Sequence, residues 1–316
     1  MKVRSSVITV AVLGVLSMSV AFAQSYPDRP IRIVGGSAGG GSDFIVRMLA
    51  PTVSSGLGQP IIVENRTSLT AAETGARAQP DGYTLLIGGG SMLAIPLLQA
   101  VSFDVLRDLT PISALVREIN VLAVHPSVPA KSVKELIEFA KSKPAGLNFS
   151  STGIGGPSHL AGELFKSMTG VNIVWVPYKG TSTALNAILA NEVQVSIIDA
   201  GNAAPHMKTG RLRGLAVTSK DPSPLFPSLP TVAESVPGYE SVVVTGIYAP
   251  TKTPTSIINR LNQEFVRAVK REEVKEALLK RDTEVLGTTP AEHLAIVKTE
   301  IARMTKVIKA ASVKVQ

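Results

Sequence analysis

The stretch that decides the fold reads Gly35-Gly36-Ser37-Ala38-Gly39-Gly40-Gly41-Ser42-Asp43. It follows an apolar run of β-like composition at residues 31–34, and it precedes a segment in which apolar residues recur three and four positions apart. Those residues are Ile45, Met48, Leu49 and Val53. The pattern predicts a strand, an open loop and then an amphipathic helix with one buried face.

The loop in this stretch has the composition of an anion-binding seat. Its five glycines let the backbone bend tightly and approach a bound molecule closely. Ser42 or Asp43 is expected to cap the helix, whose free N–H groups and positive dipole end favour a carboxylate or phosphate. A tight βα connection with no ligand would show the same glycines, so the loop alone leaves both interpretations open.

The first 23 residues have the pattern of a secretory signal peptide. Lys2 and Arg4 give a positive start, residues 7–20 are mostly apolar, and Ala21-Phe22-Ala23 is a small-x-small cleavage site. The apolar part is too short for a comfortable membrane span. We therefore expect residues 1–23 to be removed by cleavage near Ala23, and the mature protein to be soluble in the periplasm.

The charge distribution argues against nucleic acid as a partner. Loss of Lys2 and Arg4 with the signal peptide lowers the formal net charge from +8 to +6, and the remaining basic residues are interleaved with Glu. This interleaving is typical of solvated helix faces. The scarcity of aromatic residues also argues against a nucleic-acid-binding surface. A mildly basic chain is compatible with an acidic solute as the ligand.

Cysteine and histidine usage argues against thiol and metal chemistry. The chain has no cysteine, which excludes disulfides, thiolate metal ligands and thiol catalysis. Its four histidines lie far apart and lack the spacing of a zinc motif: His125, His159, His206 and His293. We expect no metal and no cofactor, and we expect His159 to pack or cap at a helix start.

Short β-rich runs alternate with helical patterns along the chain, which predicts an α/β protein with parallel sheets. The predicted strands are 31–34, 61–64, 84–87, 121–124, 147–150, 173–176, 193–198 and 212–218, and the predicted helices include 44–55, 133–141, 158–168 and 182–190. Ser132 with Glu135 and Thr289 with Glu292 have the spacing of capping boxes. Residues 254–311 are predicted to be mostly helical, with a short β-like piece near 284–286.

Three later loops share the glycine-rich or hydroxyl-rich character of the first, and each follows a predicted strand. They are residues 88–91, 151–156 and 199–202. Because the carboxyl ends of parallel strands meet at one edge of a sheet, these loops are expected to converge on one crevice. The candidate ligand-binding residues that these loops add are Ser91, Ser151, Thr152, Gly153 and Asp199, with Ser158 at the start of the helix predicted after residues 151–156.

One enzymatic alternative remains open at this stage. Residues 35–39 match the G-x-S-x-G motif of α/β-hydrolases, and Asp199 and His206 follow in the chain order of a catalytic triad. In such enzymes the helix begins directly after the serine and several strands precede it, whereas here more glycines intervene and residues 31–34 form the first strand. A secreted serine hydrolase using Ser37 is therefore the alternative hypothesis.

A set of short motifs, in order along the chain, carries a resemblance to a known family. The motifs are Gly39-Gly40-Gly41-Ser42-Asp43, Leu57-Gly58-Gln59-Pro60, Val63-Glu64-Asn65-Arg66, Pro80-Asp81-Gly82-Tyr83, His125-Pro126-Ser127, Ser158-His159-Leu160-Ala161, Val176-Pro177-Tyr178-Lys179-Gly180 and Leu229-Pro230-Thr231-Val232. On these residues the mature chain resembles the periplasmic solute receptors of the tripartite tricarboxylate transporter family, also called Bug-type receptors.

The resemblance implies a two-lobed type II periplasmic binding protein fold, in which each lobe is a mostly parallel sheet flanked by helices. Residues 24–123 with 244–316 would form the first lobe, and residues 124–243 the second. The chain would cross between the lobes near 122–124 and near 242–245. Such proteins are not enzymes, so no catalytic residue is implied.

The resemblance also implies a ligand and partners. A small organic carboxylate would bind between the lobes, held on one side by Ser37, Ala38, Gly39, Gly40 and Asp43 and on the other by residues 151–156 and Asp199. The protein would act as a monomer and deliver the ligand to inner-membrane transporter subunits, or alternatively to a signalling partner. Gly35-Gly36 stands where the family usually has Pro-Phe, which leaves the identity of the carboxylate open.

Overall fold

The computed structural model describes residues 26–36, 38–281 and 283–310, which form an α/β protein. The predicted signal peptide and Ser37 lie outside these residues. The strands are β1 (Ile31–Gly35), β2 (Ile61–Asn65), β3 (Thr84–Gly88), β4 (Leu109–Val124), β5 (Leu147–Ser151), β6 (Ile173–Pro177), β7 (Val195–Asp199), β8 (Arg213–Val217), β9 (Val242–Pro250) and β10 (Thr283–Val285).

The helices account for most of the remaining chain. They are α1 (Gly41–Leu57), α2 (Ser68–Ala76), α3 (Gly90–Leu98), α4 (Val105–Asp108), α5 (Val133–Lys141), α6 (Pro157–Thr169), α7 (Thr181–Leu189), α8 (Ala200–Lys208), α9 (Val232–Ser235), α10 (Thr255–Val269), α11 (Glu272–Leu279) and α12 (Pro290–Ala310). No helix in the described parts of the chain combines the length and the apolar character needed to cross a bilayer.

The first sheet has the strand order β2-β1-β3-β9-β4. Strands β1, β2 and β3 are parallel to one another, and β9 is antiparallel to both β3 and β4. The short strand β10 pairs antiparallel with β4. The prediction of a mostly parallel sheet is therefore confirmed, but it missed the antiparallel strand β9 between β3 and β4.

The second sheet repeats the arrangement with the order β6-β5-β7-β4 and with β8 on the other side of β4. Strands β5, β6 and β7 are parallel, whereas β4 is antiparallel to β7 and β8. Each sheet thus has an interior antiparallel strand, β9 in the first and β4 in the second, and the chain enters that strand from the part that builds the other sheet.

Strand β4 is the element that joins the two sheets. It pairs with β9 from Leu109 to Ile119 and with β7 from Asn120 to Val124. The change of partner thus falls just before the predicted crossing at 122–124, and β9 begins at the predicted crossing at 242–245. The lobe boundaries themselves, 24–123 with 244–316 and 124–243, stay a prediction.

Each sheet has its own apolar core. On the first sheet, Ile33, Leu85 and Ile247 pack with Phe265 of α10 in one buried cluster. On the second, a separate buried cluster contains Phe149, Phe165 and Tyr239. Burial of these side chains follows from strands that are covered by helices, because a parallel sheet is stable only when its faces are shielded from water.

The helix starts partly match their sequence signals. Ser132 accepts a hydrogen bond from the Glu135 amide, and Thr289 exchanges two with Glu292, so both predicted caps are confirmed. The prediction that Ser42 or Asp43 caps the first helix is wrong. Helix α1 begins at Gly41 after Gly40, which has extended dihedral angles and no side chain to act as a cap.

A close approach between α6 and β5 depends on Gly162. This residue lies in the interior of α6, and a Cβ atom placed on it would overlap the ring of Phe149, which is 1% exposed in the second core. The absence of a side chain lets α6 lie close to the sheet. Since α6 begins at the loop of residues 151–156, this packing also fixes the position of that loop.

We predict that Gly162→Ala destabilises the protein. Alanine in a helix interior normally stabilises by about 1 kcal/mol relative to glycine. Here the overlap with Phe149 should reverse the sign and lower the free energy of unfolding by about 1–3 kcal/mol, as overpacking does in other cores. Urea unfolding measures the change, and Ser167→Ala, at an exposed position of α6, is the control. Unchanged or increased stability of Gly162→Ala would contradict this account of the packing.

Candidate functional site

A cavity of about 380 Å³ opens where β4 passes from one sheet to the other. Its lining comes from both sheets, with Glu118 and Asn120 of β4 on its floor. Residues from the first turns of α1, α6, α7 and α8 form its walls. A volume of this size is in the range of small-molecule sites.

Three of these helices begin with glycine at the N-cap. The N-caps of α1, α6 and α7 are Gly40, Gly156 and Gly180, and none offers a side-chain cap. The first N–H groups of a helix have no partner within the helix and lie at the positive end of its dipole. Glycine caps leave these groups for a ligand, so the walls of the cavity favour a bound anion.

Hydroxyl groups add to the donors around the cavity. Thr181 and Ser182 lie in the first turn of α7, and Ser158 lies in the first turn of α6. The Thr152 amide donates to Ser158 Oγ over 3.4 Å, which ties the loop before α6 to the start of that helix. The combination of N–H and hydroxyl donors can hold the oxygens of a carboxylate.

The loop of residues 151–156 is held in place by two aromatic side chains. Trp175 Nε1 donates to Ser151 Oγ over 2.7 Å, and the Trp175 and His159 rings are in contact, with centroids 4.1 Å apart. His159 Nδ1 accepts a hydrogen bond from the Gly155 amide over 3.2 Å. His159 therefore packs and positions the loop, as the sequence predicted.

Asp43 stabilises the first glycine loop without lining the cavity. Its carboxylate accepts hydrogen bonds from the Gly39 amide, Arg47 Nε and Asn65 Nδ2 at 2.7–2.9 Å. Burial opposes ionisation of Asp43, but the hydrogen bonds from Gly39, Asn65 and Arg47 outweigh it and lower the pKa of this carboxyl. The residue is 5% exposed and does not line the cavity.

Two acidic side chains face the cavity from the adjoining strands β4 and β7. Burial and the nearby charge of Asp199 raise the pKa of Glu118 to about 7, although Arg281 opposes the shift. Glu118 lies against the start of α1, since a Cβ atom on Gly41 would be 2.9 Å from Glu118 Oε1. Asp199 caps α8 by accepting from the Asn202 amide over 3.2 Å.

Arg281 is the only cationic side chain among the described residues that line the cavity. It follows α11, and its guanidinium carbon lies 4.0 Å from the centroid of the Phe44 ring. A cation over an aromatic face is held by the ring quadrupole. This contact keeps the guanidinium at the wall formed by α1.

Asn120 is a buried amide on the floor of the cavity. Its backbone is fixed to Thr218 by hydrogen bonds from both the amide and the hydroxyl of that residue, and the residue is 6% exposed. In the part of the chain that the structure describes, its Nδ2 has no hydrogen-bond partner. Leaving a buried donor unsatisfied costs about 1–3 kcal/mol, which an acceptor on a ligand would recover.

The structure brings together six of the residues that the sequence singled out. Those that line the cavity are Gly39, Gly40, Ser151, Thr152, Ser158 and Asp199. Ser91 lines a neighbouring cavity of about 190 Å³ that shares Gly41, Glu118, Pro157 and Val243 with the first. Ala38, Asp43 and Gly153 line neither, and Ser37 lies outside the described residues.

The residues that line the cavity and were not predicted from the sequence include Glu118, Asn120, Arg281, Thr181 and Ser182. The first two are polar residues two positions apart within the long, otherwise apolar segment that forms β4. Residues two apart in a strand face the same side, so their spacing could have indicated a polar face directed at a site. No comparable sequence signal marks Arg281. Among the described residues, no cluster of three or more His, Cys, Asp or Glu side chains could hold a metal ion.

Comparison with known proteins places the chain among solute receptors. A family model described as "Tripartite tricarboxylate transporter family receptor" matches residues 45–313. Protein BugT of Bordetella pertussis is 32% identical over 97% of this chain and 98% of its own length. Rpa4515 of R. palustris, solved with adipate, is 33% identical and superimposes with a TM-score of 0.80 over 92% of this chain and 99% of its own.

A second solved structure also superimposes on nearly the whole of this chain. MatC of Rhodopseudomonas palustris, solved with bound malate, is 28% identical and superimposes with a TM-score of 0.77. The alignment covers 90% of this chain and 100% of MatC. The two-lobed fold implied by the sequence motifs is thus confirmed by structures of periplasmic binding proteins.

We predict that low pH lowers the free energy of unfolding because His159 is buried in its neutral form. Burial, with a smaller effect from Lys166, lowers the pKa of His159 from 6.5 to about 4. Between these two pKa values the unfolded chain binds a proton that the folded protein does not. The contribution of neutral His159 to the free energy of unfolding is therefore fully present above about pH 6.5. It falls by up to about 1.4 kcal/mol per pH unit toward pH 4.

The comparison of wild type with His159→Asn tests this prediction. Urea unfolding between pH 4.5 and 6 should give a shallower dependence of unfolding free energy on pH in the variant, by about one proton. Equal slopes in the two proteins would mean that His159 is not the buried neutral group that the geometry describes.

Proposed function

Because this chain belongs to the tripartite tricarboxylate transporter receptor family, we propose that it captures a small organic carboxylate in the cavity beside β4 and delivers it to a membrane transporter. Members of the family are periplasmic solute-binding receptors and not enzymes. The alternative of a serine hydrolase using Ser37 is therefore not retained.

One observation carries the proposal: the uncapped starts of α1, α6 and α7 meet at a single cavity. Each start supplies N–H donors at the positive end of a helix dipole, worth about 0.3–1 kcal/mol per anion at an exposed site and more when partly buried. Ser158, Thr181 and Ser182 add hydroxyl donors. Such a set of donors fits a small oxyanion such as a carboxylate.

The ligands of related proteins support the same class. Rpa4515 was solved with adipate and MatC with malate, and both are carboxylates. This chain shares the fold of both proteins over nearly its whole length. This chain has Gly35-Gly36 where the family is expected to have Pro-Phe, and this difference argues against assigning adipate or malate directly to this protein.

Capture would couple ligand binding to the relative position of the two sheets. The walls of the cavity come from α1 on the first sheet and from α6, α7 and α8 on the second. A ligand that contacts both sides stabilises the arrangement in which they are close, so binding shifts a hinge equilibrium. The chain passes between the sheets within β4 and at the start of β9, and such a hinge would bend at these two places.

We predict that Ser182→Asp stabilises the protein and abolishes carboxylate binding. An acid in the first turn of a helix favours its dipole by about 0.3–1 kcal/mol, yet here it would place a fixed carboxylate where the ligand carboxylate binds. Thermal shifts with a panel of di-, tri- and aromatic carboxylates measure binding. For wild type, a ligand at a hundred times its Kd should add about 2.7 kcal/mol to the free energy of unfolding.

The matched control is Ser132→Asp, which places the same charge at the N-cap of α5, a residue that does not line the cavity. This variant should keep the wild-type response to ligand. If no carboxylate stabilises the wild-type protein, or if Ser182→Asp binds as tightly as wild type, the proposed site is wrong.

Delivery to a transporter is tested separately from binding. Cells that lack this receptor should lose uptake of the labelled ligand and regain it with wild-type protein but not with Ser182→Asp. If uptake is unaffected while ligand binding is intact, the protein acts on a signalling partner instead.

A further inference from the structure

The two crossings of the chain between the sheets are joined by one residue, Thr218. Within β4, Ile119 is the last residue that pairs with β9, and Asn120 is the first that pairs with β7. The second crossing is at Ser241, directly before β9 begins. Thr218, which directly follows β8, hydrogen-bonds to the backbone at both crossings.

Hydrogen bonds on both sides of Thr218 form this link. The Asn120 amide donates to Thr218 Oγ1 over 3.2 Å, and the hydroxyl and amide of Thr218 donate to the Asn120 carbonyl over 3.1 and 2.9 Å. The Ser241 amide donates to the Thr218 carbonyl over 2.8 Å. All three residues are buried, so breaking one of these bonds would leave a polar group unsatisfied. The link therefore holds the two crossings in a fixed relation.

Asn120 connects this link to the cavity. Its side chain lies on the floor, and its Nδ2 is a buried donor without a partner within the described residues. Such a donor requires an acceptor in the cavity, which a bound carboxylate would supply. The direction of Nδ2 depends on the backbone of Asn120, and Thr218 fixes that backbone.

Asn120 also differs in its place from the donors on the walls. The start of α1 belongs to the first sheet, and the starts of α6 and α7 belong to the second. Asn120 instead lies at the point where β4 changes sheets. Hinge motion is absorbed by rotation about the backbone of a few residues at such a point. A ligand oxygen that accepts from Nδ2 therefore acts directly on the backbone that must rotate.

Taking the proposed function as its basis, we propose that Thr218 is the positioning residue of the hinge. It holds Asn120 so that Nδ2 donates to the bound carboxylate, and it joins the two crossings so that they bend together. A ligand shifts a hinge only by binding one arrangement more tightly than the other. The contact with Asn120 contributes to that difference, and Thr218 passes it on to the crossing at Ser241.

A double-mutant cycle tests whether Thr218 acts through Asn120. The probe is whichever of succinate, malate, adipate, citrate and phthalate binds the ligand-free wild type most tightly in calorimetry. Asn120→Ala should weaken its binding about tenfold or more, and Thr218→Val, which removes the hydroxyl, about three- to tenfold. The double variant should bind about as tightly as Asn120→Ala alone.

Two further variants are the controls for the cycle. Thr218→Ser keeps the hydroxyl and should bind the probe as the wild type does. Ser182→Ala removes a donor from the wall formed by α7, so its effect should multiply with that of Thr218→Val. A general loss of structure at Thr218 would instead weaken binding by the same factor in every background.

Spin labels test the link between the crossings without a bound probe. The chain has no cysteine, so Ser55→Cys on α1 and Asn186→Cys on α7 place single labels at exposed positions on different sheets. Thr218→Val should broaden the distribution of distances between the labels. Thr218→Ser, and Thr299→Val at an exposed position of α12, should leave it unchanged.

The outcomes separate this inference from the proposed function. If the effects of Asn120→Ala and Thr218→Val multiply, or if Thr218→Val keeps the wild-type distance distribution, the inference is wrong and the carboxylate receptor stands. If Thr218→Val fails to fold, Ser241→Pro removes the N–H donor at the second crossing, and an unchanged distribution in that variant overturns the inference. If none of the panel binds the wild type, the proposed function is overturned and the inference with it.

Discussion

The structure depends on the pairing of one strand with two sheets. Strand β4 hydrogen-bonds to β9 along its first part and to β7 and β8 along its last, so a single stretch of backbone belongs to both halves of the molecule. The cavity lies where the partner changes. The backbone of Glu118 and Asn120 is held there by ladder hydrogen bonds to neighbouring strands, which places their side chains at the floor of the site.

Around this floor, parallel βα connections determine the electrostatics. A helix that follows a parallel strand starts at the carboxyl edge of the sheet, so the helices after β1, β5, β6 and β7 all present their N-termini to the same cavity. Glycine N-caps leave three of these ends for a ligand, and Asp199 satisfies the fourth. The walls thus favour negative charge, and the acids of the floor limit how much of it the site accepts.

The fold and the walls of the site could be predicted from the sequence because they follow from local patterns. Loops rich in glycine or hydroxyl residues after apolar runs located β1, β5 and β7 and six of the residues that line the cavity. The floor could not be predicted in this way. Asn120 and Glu118 acquire their role from pairing with Asp199 and Thr283, which are distant in sequence. Asp43 was predicted to contact the ligand because it belongs to the glycine-rich motif. In the structure it lies in the first turn of α1, and its three hydrogen bonds give it a structural role.

The pairing of the late strand β9 with the early strands β3 and β4 also constrains when the molecule can fold. The first sheet lacks its inner strand until β9 has been made, since Leu86 pairs with Tyr248 far along the chain. Chains dominated by such distant pairings fold slowly, because loop closure must precede the contacts that compensate for it. The second sheet has all of its strands once β8 has been made, but the first sheet is incomplete until β9 and β10 follow. A nascent chain of this protein therefore stays incompletely folded until nearly its whole length is available, and it depends on that interval being free of aggregation.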